Sequence, residues 1–216
     1  MPALFKKKLE NGAGFGIWEI VEDEPFFRQM LDLLPEEEEE LAPLKGRRRL
    51  EWLACRFLVH EMLLERGLDD RVPVLKDACG KPHLAGTPYH LSFSHSFDMV
   101  AVILAHYPTG IDIQKFVPKI GAIAHKFLRE EEARVLTEPT RLEHLHIYWG
   151  AKEALYKAYG RQQLDFRQHI LVEPFGFQDT GHTTGFIQKD DFSARYVIDF
   201  DRVKSHFLVY CVQEAG

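Results

Sequence analysis

A long helix followed by a run of short strands occurs twice along this chain, and few folds accommodate that order. In residues 46–66, GRRRLEWLACRFLVHEMLLER, the side chains Leu50, Leu53, Ala54, Phe57 and Leu58 share one face at helical spacing, and Gly67 ends the run. After Pro73 the pattern changes to strand-like pieces, VPVL, HLSFS and DMVAVILAH, separated by turn chemistry at CGKP, GTP and YPTG. The C-terminal half repeats the order. Helical spacing over residues 120–136 and 140–158 precedes the strand-rich HILVEP, HTTGFIQ, SARYVIDF and HFLVYCV. Two such halves predict an α+β fold of two similar α/β subdomains, residues 1–109 and 110–216. Ahead of the first long helix, GFGIWEIV reads as a strand and DEPFFRQMLDLL as a helix stopping at Pro35. The five glutamates at 36–40 read as a solvated helix face or loop that serves solubility.

Composition sets limits on partners and location. A 45% hydrophobic share with 28% charged residues supports a packed core, and excludes wholesale disorder. The 27 basic and 33 acidic side chains give a net charge of −6, so the overall basic footprint of a nucleic-acid binder is absent. Cys55, Cys79 and Cys211 form no C-x-x-C pair and read as thiols of a reducing compartment. The basic start MPALFKKKLENGAG lacks the apolar stretch of a secretory signal. The longest apolar run, Met99–Ala105, is far short of the roughly 20 residues that span a bilayer. A cytoplasmic protein with no membrane partner is expected.

Four short motifs carry chemistry. In GIDIQ, strand alternation buries Ile111 and Ile113 on one face and sets Asp112 and Gln114 side by side on the other. An acid there needs a cation, a donor or water, and an edge-strand acid open to solvent fits as well. In WGAKEALYKAYG, residues 149–160, Glu153 and Lys157 are four apart on one helix face. That pair suits a hard Mg²⁺ ligand beside a cation for phosphate charge, or equally a surface ion pair. HLSFSHS presents Ser94 and His95, which suit phosphate oxygens or a structural turn. CGKP fixes a turn presenting Lys81 between Gly80 and Pro82. His144 and His146 diverge on a helix and read as packing or surface groups.

Taken together and in order, GKP at 80–82, SFSHS at 92–96, GIDIQK at 110–115 and WGAKEALYKAYG at 149–160 resemble the motif series of the Sfp-type 4′-phosphopantetheinyl transferase superfamily. The resemblance implies a pseudo-dimer of two α/β subdomains acting as a monomer. It also implies transfer of 4′-phosphopantetheine from coenzyme A to a serine of an apo acyl or peptidyl carrier protein, of the holo-acyl-carrier-protein synthase type. Asp112 and Glu153 would hold Mg²⁺ with the pyrophosphate, Lys157 would contact the transferred phosphate, and Glu153, or a metal-bound water near it, would serve as base for the serine. Ser94 and His95 correspond to the pair on the coenzyme A phosphates, and Gly80, Lys81 and Pro82 to the segment against adenine. At the basic start of the first long helix, Arg49, which shares a face with Arg56 and Trp52, or else Arg48 suits the 3′-phosphate, and a solvated basic turn fits as well. The family often has a second acid two residues after the strand aspartate, where this chain has Gln114, a neutral oxygen donor. The segment 126–136 lies where the family meets its carrier, with Phe127 and Leu128 as candidate apolar contacts or core residues. The acids at 112 and 153 are expected to converge on one ion in a cleft between two lobes. Two other readings suit the same residues: another Mg²⁺-dependent phosphodiesterase, and a non-catalytic module binding coenzyme A or a carrier.

Overall fold

The structure, a computed structural model, describes residues 5–9, 12–68, 70–161 and 163–214. The chain divides into two compact units, Met1–His106 and Tyr107–Gly216. Among the described residues every strand pairing is antiparallel, and helices pack on the sheets, which makes the fold α+β.

The N-terminal unit runs β1 (Phe5–Lys8), β2 (Gly14–Glu19), α1 (Glu24–Met30), α2 (Pro35–Leu41), α3 (Arg47–Leu64), β3 (Val74–Lys76), β4 (Pro82–Leu84), β5 (His90–Ser96) and β6 (Met99–Ala105). Four strands form a sheet in the order β1-β2-β6-β5, and β3 and β4 pair separately. Helix α3 is rich in Leu and Arg, which lose little rotamer freedom in a helix. Its apolar stripe, Leu53, Leu58 and Met62, joins one core with Val100, Val102 and Leu104 of β6. Burying each such side chain contributes about 1.5–3 kcal/mol. Phe57 meets Trp18 edge to face at 5.0 Å, tying α3 to β2.

The acidic run at 36–40 is not the solvated face its composition suggests. Helix α2 is fastened by it. Glu37 is buried and accepts two hydrogen bonds from Arg71, at 2.7 and 2.9 Å. Glu38 takes Arg28 at 2.6 Å, and Glu40 takes Arg56 at 2.9 Å. Like charges in a row are tolerated because the fold supplies a cation for each of these three.

The C-terminal unit runs β7 (Thr109–Lys115), α4 (Ile120–Phe127), α5 (Glu130–Ala133), α6 (Arg141–Tyr159), β8 (Ile170–Val172), β9 (Thr180–Lys189), β10 (Phe192–Val203) and β11 (His206–Gln213). Its sheet has the order β7-β11-β10-β9-β8, so β7 is at the edge of its own sheet. Helix α6 covers one face, and Leu145, Ala151, Ala154 and Leu155 share a core with Val209, Cys211 and Ile198. His144 and His146 belong to this interior. His144 stacks on Tyr148, and His146 lies nearly parallel to Phe207 with its Nε2 3.1 Å from the backbone of Val117. No helix among the described residues is long and apolar enough to cross a membrane.

The helical pattern over 120–136 is broken in two by Leu128, whose backbone is extended. Lys152 of α6 explains the break. Its ammonium donates to the carbonyl of Phe127 at 2.7 Å, closing the end of α4, and pairs with Glu132 of α5 at 2.7 Å. The Glu132 carboxylate also accepts the N–H of Arg129 at 2.7 Å, which starts α5 afresh. Phe127 and Leu128 are consequently core residues, 0% and 8% exposed, and do not offer a carrier the apolar contact expected of them.

Candidate active site

Asp112 sits mid-strand on β7, opposite Val209 of β11, on the face that α6 covers. Two glycines allow that helix to lie unusually close. A Cβ on Gly110 would run into the carbonyl oxygen of Ala154, and one on Gly150 would come within 2.7 Å of Val209 Cγ2. The close approach brings the last turns of α6 over the strand carboxylate. Lys157 Nζ donates to Asp112 Oδ1 at 2.8 Å and to the carbonyl of Ile111 at 2.9 Å. Asp112 is only 7% exposed, so the reading of an edge-strand acid open to water does not hold.

Glu153 completes the cluster one turn back on α6. Burial pushes its carboxyl above the usual carboxylate range, the charge of Asp112 pushes it further, and Lys157 pulls it back. Two carboxylates and one ammonium thus share a half-buried space assembled by β7 and α6 inside the C-terminal unit. Gln114, beside Asp112 on the same face, donates its amide nitrogen to the carbonyl of His146 at 2.9 Å. Among the described residues no group of three or more His, Cys, Asp or Glu is placed to hold a metal. The acidic part of the cluster is a pair.

Residues of the N-terminal motifs separate into two environments. A cavity of about 240 Å³ in that unit is lined by Arg48, Glu51, Trp52, Arg56, Lys76 and His95, among others. His95 is oriented there by Glu51 of α3, whose carboxylate lies 3.1 Å from Nδ1. Ser94 alternates to the other side of β5 and is buried, so strand geometry sends the two adjacent side chains apart. Arg48 and Arg49 also part company. Arg48 lines the cavity, whereas Arg49 is drawn to Glu24 at 2.6 Å and to the carbonyl of Leu41 at 2.6 Å. Arg49 is thus held apart from Arg56, and Arg48 is the arginine of the helix start that faces the cavity.

Gly80 and Lys81 form a turn closed by Asp77, whose carboxylate accepts the N–H groups of Cys79 and Lys81 at 2.8 and 2.9 Å. Neither they nor Pro82 line the cavity; Lys76, the cross-strand partner of Pro82, does. Lys76 and Glu51 escape sequence reasoning because each is an ordinary charged residue at an ordinary spacing, and Glu40 reads as part of the acidic run. The register of β3 on β4 is the signal that would have found Lys76.

No curated protein matches the chain. Residues 108–211, which contain Asp112, Gln114, Glu153 and Lys157, match the family model of the 4′-phosphopantetheinyl transferase superfamily. That stretch, and with it the cluster of carboxylates and lysine, is a domain of the 4′-phosphopantetheinyl transferase superfamily.

Proposed function

We propose that this protein transfers 4′-phosphopantetheine from coenzyme A to a serine of an apo carrier protein, with Mg²⁺ as cofactor. The observation that carries the reading is the convergence of Asp112, Glu153 and Lys157 inside the stretch that matches the superfamily. Chemically the transfer is a phosphoryl displacement. The serine oxygen bonds to the phosphorus that bears pantetheine, the bond from that phosphorus to the bridging oxygen breaks, and adenosine 3′,5′-bisphosphate leaves with the electron pair. Such a reaction asks the protein for alignment and charge neutralisation more than for covalent work.

The residues present suit a hard divalent cation. Two crowded carboxylates, one of them held above its ordinary pKa by burial and by the charge of the other, form an oxygen-donor set whose repulsion a cation relieves. Asp112 and Glu153 would hold Mg²⁺; Gln114, with its nitrogen committed to His146, has its carbonyl oxygen left as a third donor. When bound, Mg²⁺ would neutralise charge on the pyrophosphate oxygens. Lys157 carries the fixed positive charge for the transferred phosphate. Glu153, or a metal-bound water near it, would take the serine proton. In the N-terminal unit, Arg48, His95 and Lys76 supply donors for the phosphates of the adenosine end.

Incubation with coenzyme A, Mg²⁺ and a panel of apo carrier proteins tests the reading by mass spectrometry. A gain of roughly 340 Da on one carrier, the mark of a covalent modification, is expected. It should disappear with Glu153→Gln and with Asp112→Asn. Coenzyme A binding with no gain on any carrier would favour a non-catalytic module, and hydrolysis of a phosphodiester without coenzyme A would favour the phosphodiesterase.

A further inference from the structure

Helix α2 directs Glu40 into the cavity lined by Arg48, Trp52, Arg56, Lys76 and His95. Three donors converge there on a single oxygen. Glu40 Oε2 accepts from Arg56 Nη2 at 2.9 Å, Lys76 Nζ at 3.0 Å and Trp52 Nε1 at 3.3 Å. Arg56 is almost fully buried, and its guanidinium carbon stands 3.3 Å from the centroid of the Trp52 ring. That stacking fixes the plane in which its N–H groups are presented. Its Nε is buried without a hydrogen-bond partner among the described residues; Glu37 lies 3.8 Å away, beyond hydrogen-bond reach. A rigid arginine with a donor in reserve, a lysine and an indole N–H meeting at one point form an anion receptor.

The two inward carboxylates of α2 have different standing in that receptor. Glu37 is 3% exposed in its side chain and is gripped by Arg71, so it fastens the helix. Glu40 is 31% exposed and shares its oxygen with Lys76, which is 45% exposed. An ion pair that open to water is weak and easily exchanged for an anion of higher charge. We infer that Glu40 is an internal stand-in for phosphate, holding the Arg56, Lys76 and Trp52 donors until the 3′-phosphate of coenzyme A displaces it. The inference rests on the coenzyme A reading above and adds to it a residue that determines specificity. A ligand without the 3′-phosphate leaves Glu40 in place and gains nothing from the three donors. A ligand that carries it must outcompete a carboxylate.

Calorimetric titration of the full chain with coenzyme A and with 3′-dephospho-coenzyme A, in the absence of any carrier, tests this without turnover. Glu40→Gln should tighten coenzyme A about five- to tenfold, as a competing charge is removed, and change 3′-dephospho-coenzyme A by less than about twofold. Lys76→Met, at an exposed position that does not endanger folding, should weaken coenzyme A about fivefold and spare the dephospho form. Unfolding midpoints of both variants without ligand provide the check that neither effect comes from loss of structure. Equal affinity of wild type and Glu40→Gln for coenzyme A, or weaker binding by the variant, overturns the stand-in role alone. No binding of coenzyme A by either form overturns the coenzyme A reading and the stand-in with it.

Discussion

Lys152 and Glu153 are neighbours on α6 with opposite surroundings. About 100° of rotation per residue turns Lys152 into the core and Glu153 toward Asp112. Lys152 is fully buried, paired with Glu132 and donating to the carbonyls of Phe127, Phe166 and Ile170. Burial presses its ammonium pKa down while Glu132 opposes the shift. Removing one partner of such a pair leaves a buried charge uncompensated. Lys152→Met should therefore lower stability by about 3–5 kcal/mol, read as a fall in the urea midpoint. Adding Glu132→Gln to it should restore part of the loss, because the stranded carboxylate is then gone. A double variant as unstable as the sum of the singles would show that the two side chains act independently. The motif WGAKEALYKAYG shows charged residues at 152, 153 and 157 without saying which one faces the core. The second partner, Glu132, lies twenty residues away behind a helix break, so no local spacing announces the pair.

At the scale of elements, the packing of α6 on β7 is the feature on which the site depends. Gly110 has no room for a methyl group, and the obstructing atom is a backbone oxygen that cannot swing aside. Gly110→Ala should push the helix off the strand, costing about 1–3 kcal/mol as overpacking usually does, and separating Lys157 from Asp112. The check is a pair of measurements, the urea midpoint and the transfer rate, and the rate should fall even where the fold persists. A variant with unchanged midpoint would mean that the helix and strand can part without loss. Much of this level was readable in advance. Alternation in GIDIQ set Asp112 and Gln114 on one face, and helical spacing at 46–66 outlined α3, observed as Arg47–Leu64. β1 escaped notice because its sequence is FKKK, with too few apolar residues to alternate. The acidic run 36–40 was misjudged for a physical reason too: its cations, Arg28, Arg56 and Arg71, come from elsewhere in the fold.

Across the whole molecule, the match to the superfamily spans the unit that holds the acidic cluster, whereas the cationic cavity belongs to the other unit. The two chemistries, a pair of carboxylates and a set of phosphate donors, are thus supported by separate cores, and each has its own sensitivity to conditions. In the C-terminal unit burial pushes two histidines down, His146 and, from 6.5 to about 4, His144. His144 is 1% exposed, enclosed by Tyr148, Phe175 and Phe177. Below pH 6.5 the unfolded chain binds a proton there that the folded chain refuses until about pH 4, so stability is lost as pH falls through that window. The loss should approach about 3 kcal/mol. Glu24, pulled down to about 2 by Arg49 and Arg28, acts in the same direction at lower pH in the N-terminal unit. Glu153 acts against it, since a carboxyl with a raised pKa favours the folded state as acid is added. Urea unfolding between pH 4 and 6.5, followed by a probe in the C-terminal unit, should show midpoints that fall with acid in the wild type. In His144→Phe, which keeps an aromatic ring against Tyr148 and Phe175, the slope should flatten. An equally steep slope in the variant would assign the acid sensitivity of this unit to groups other than His144.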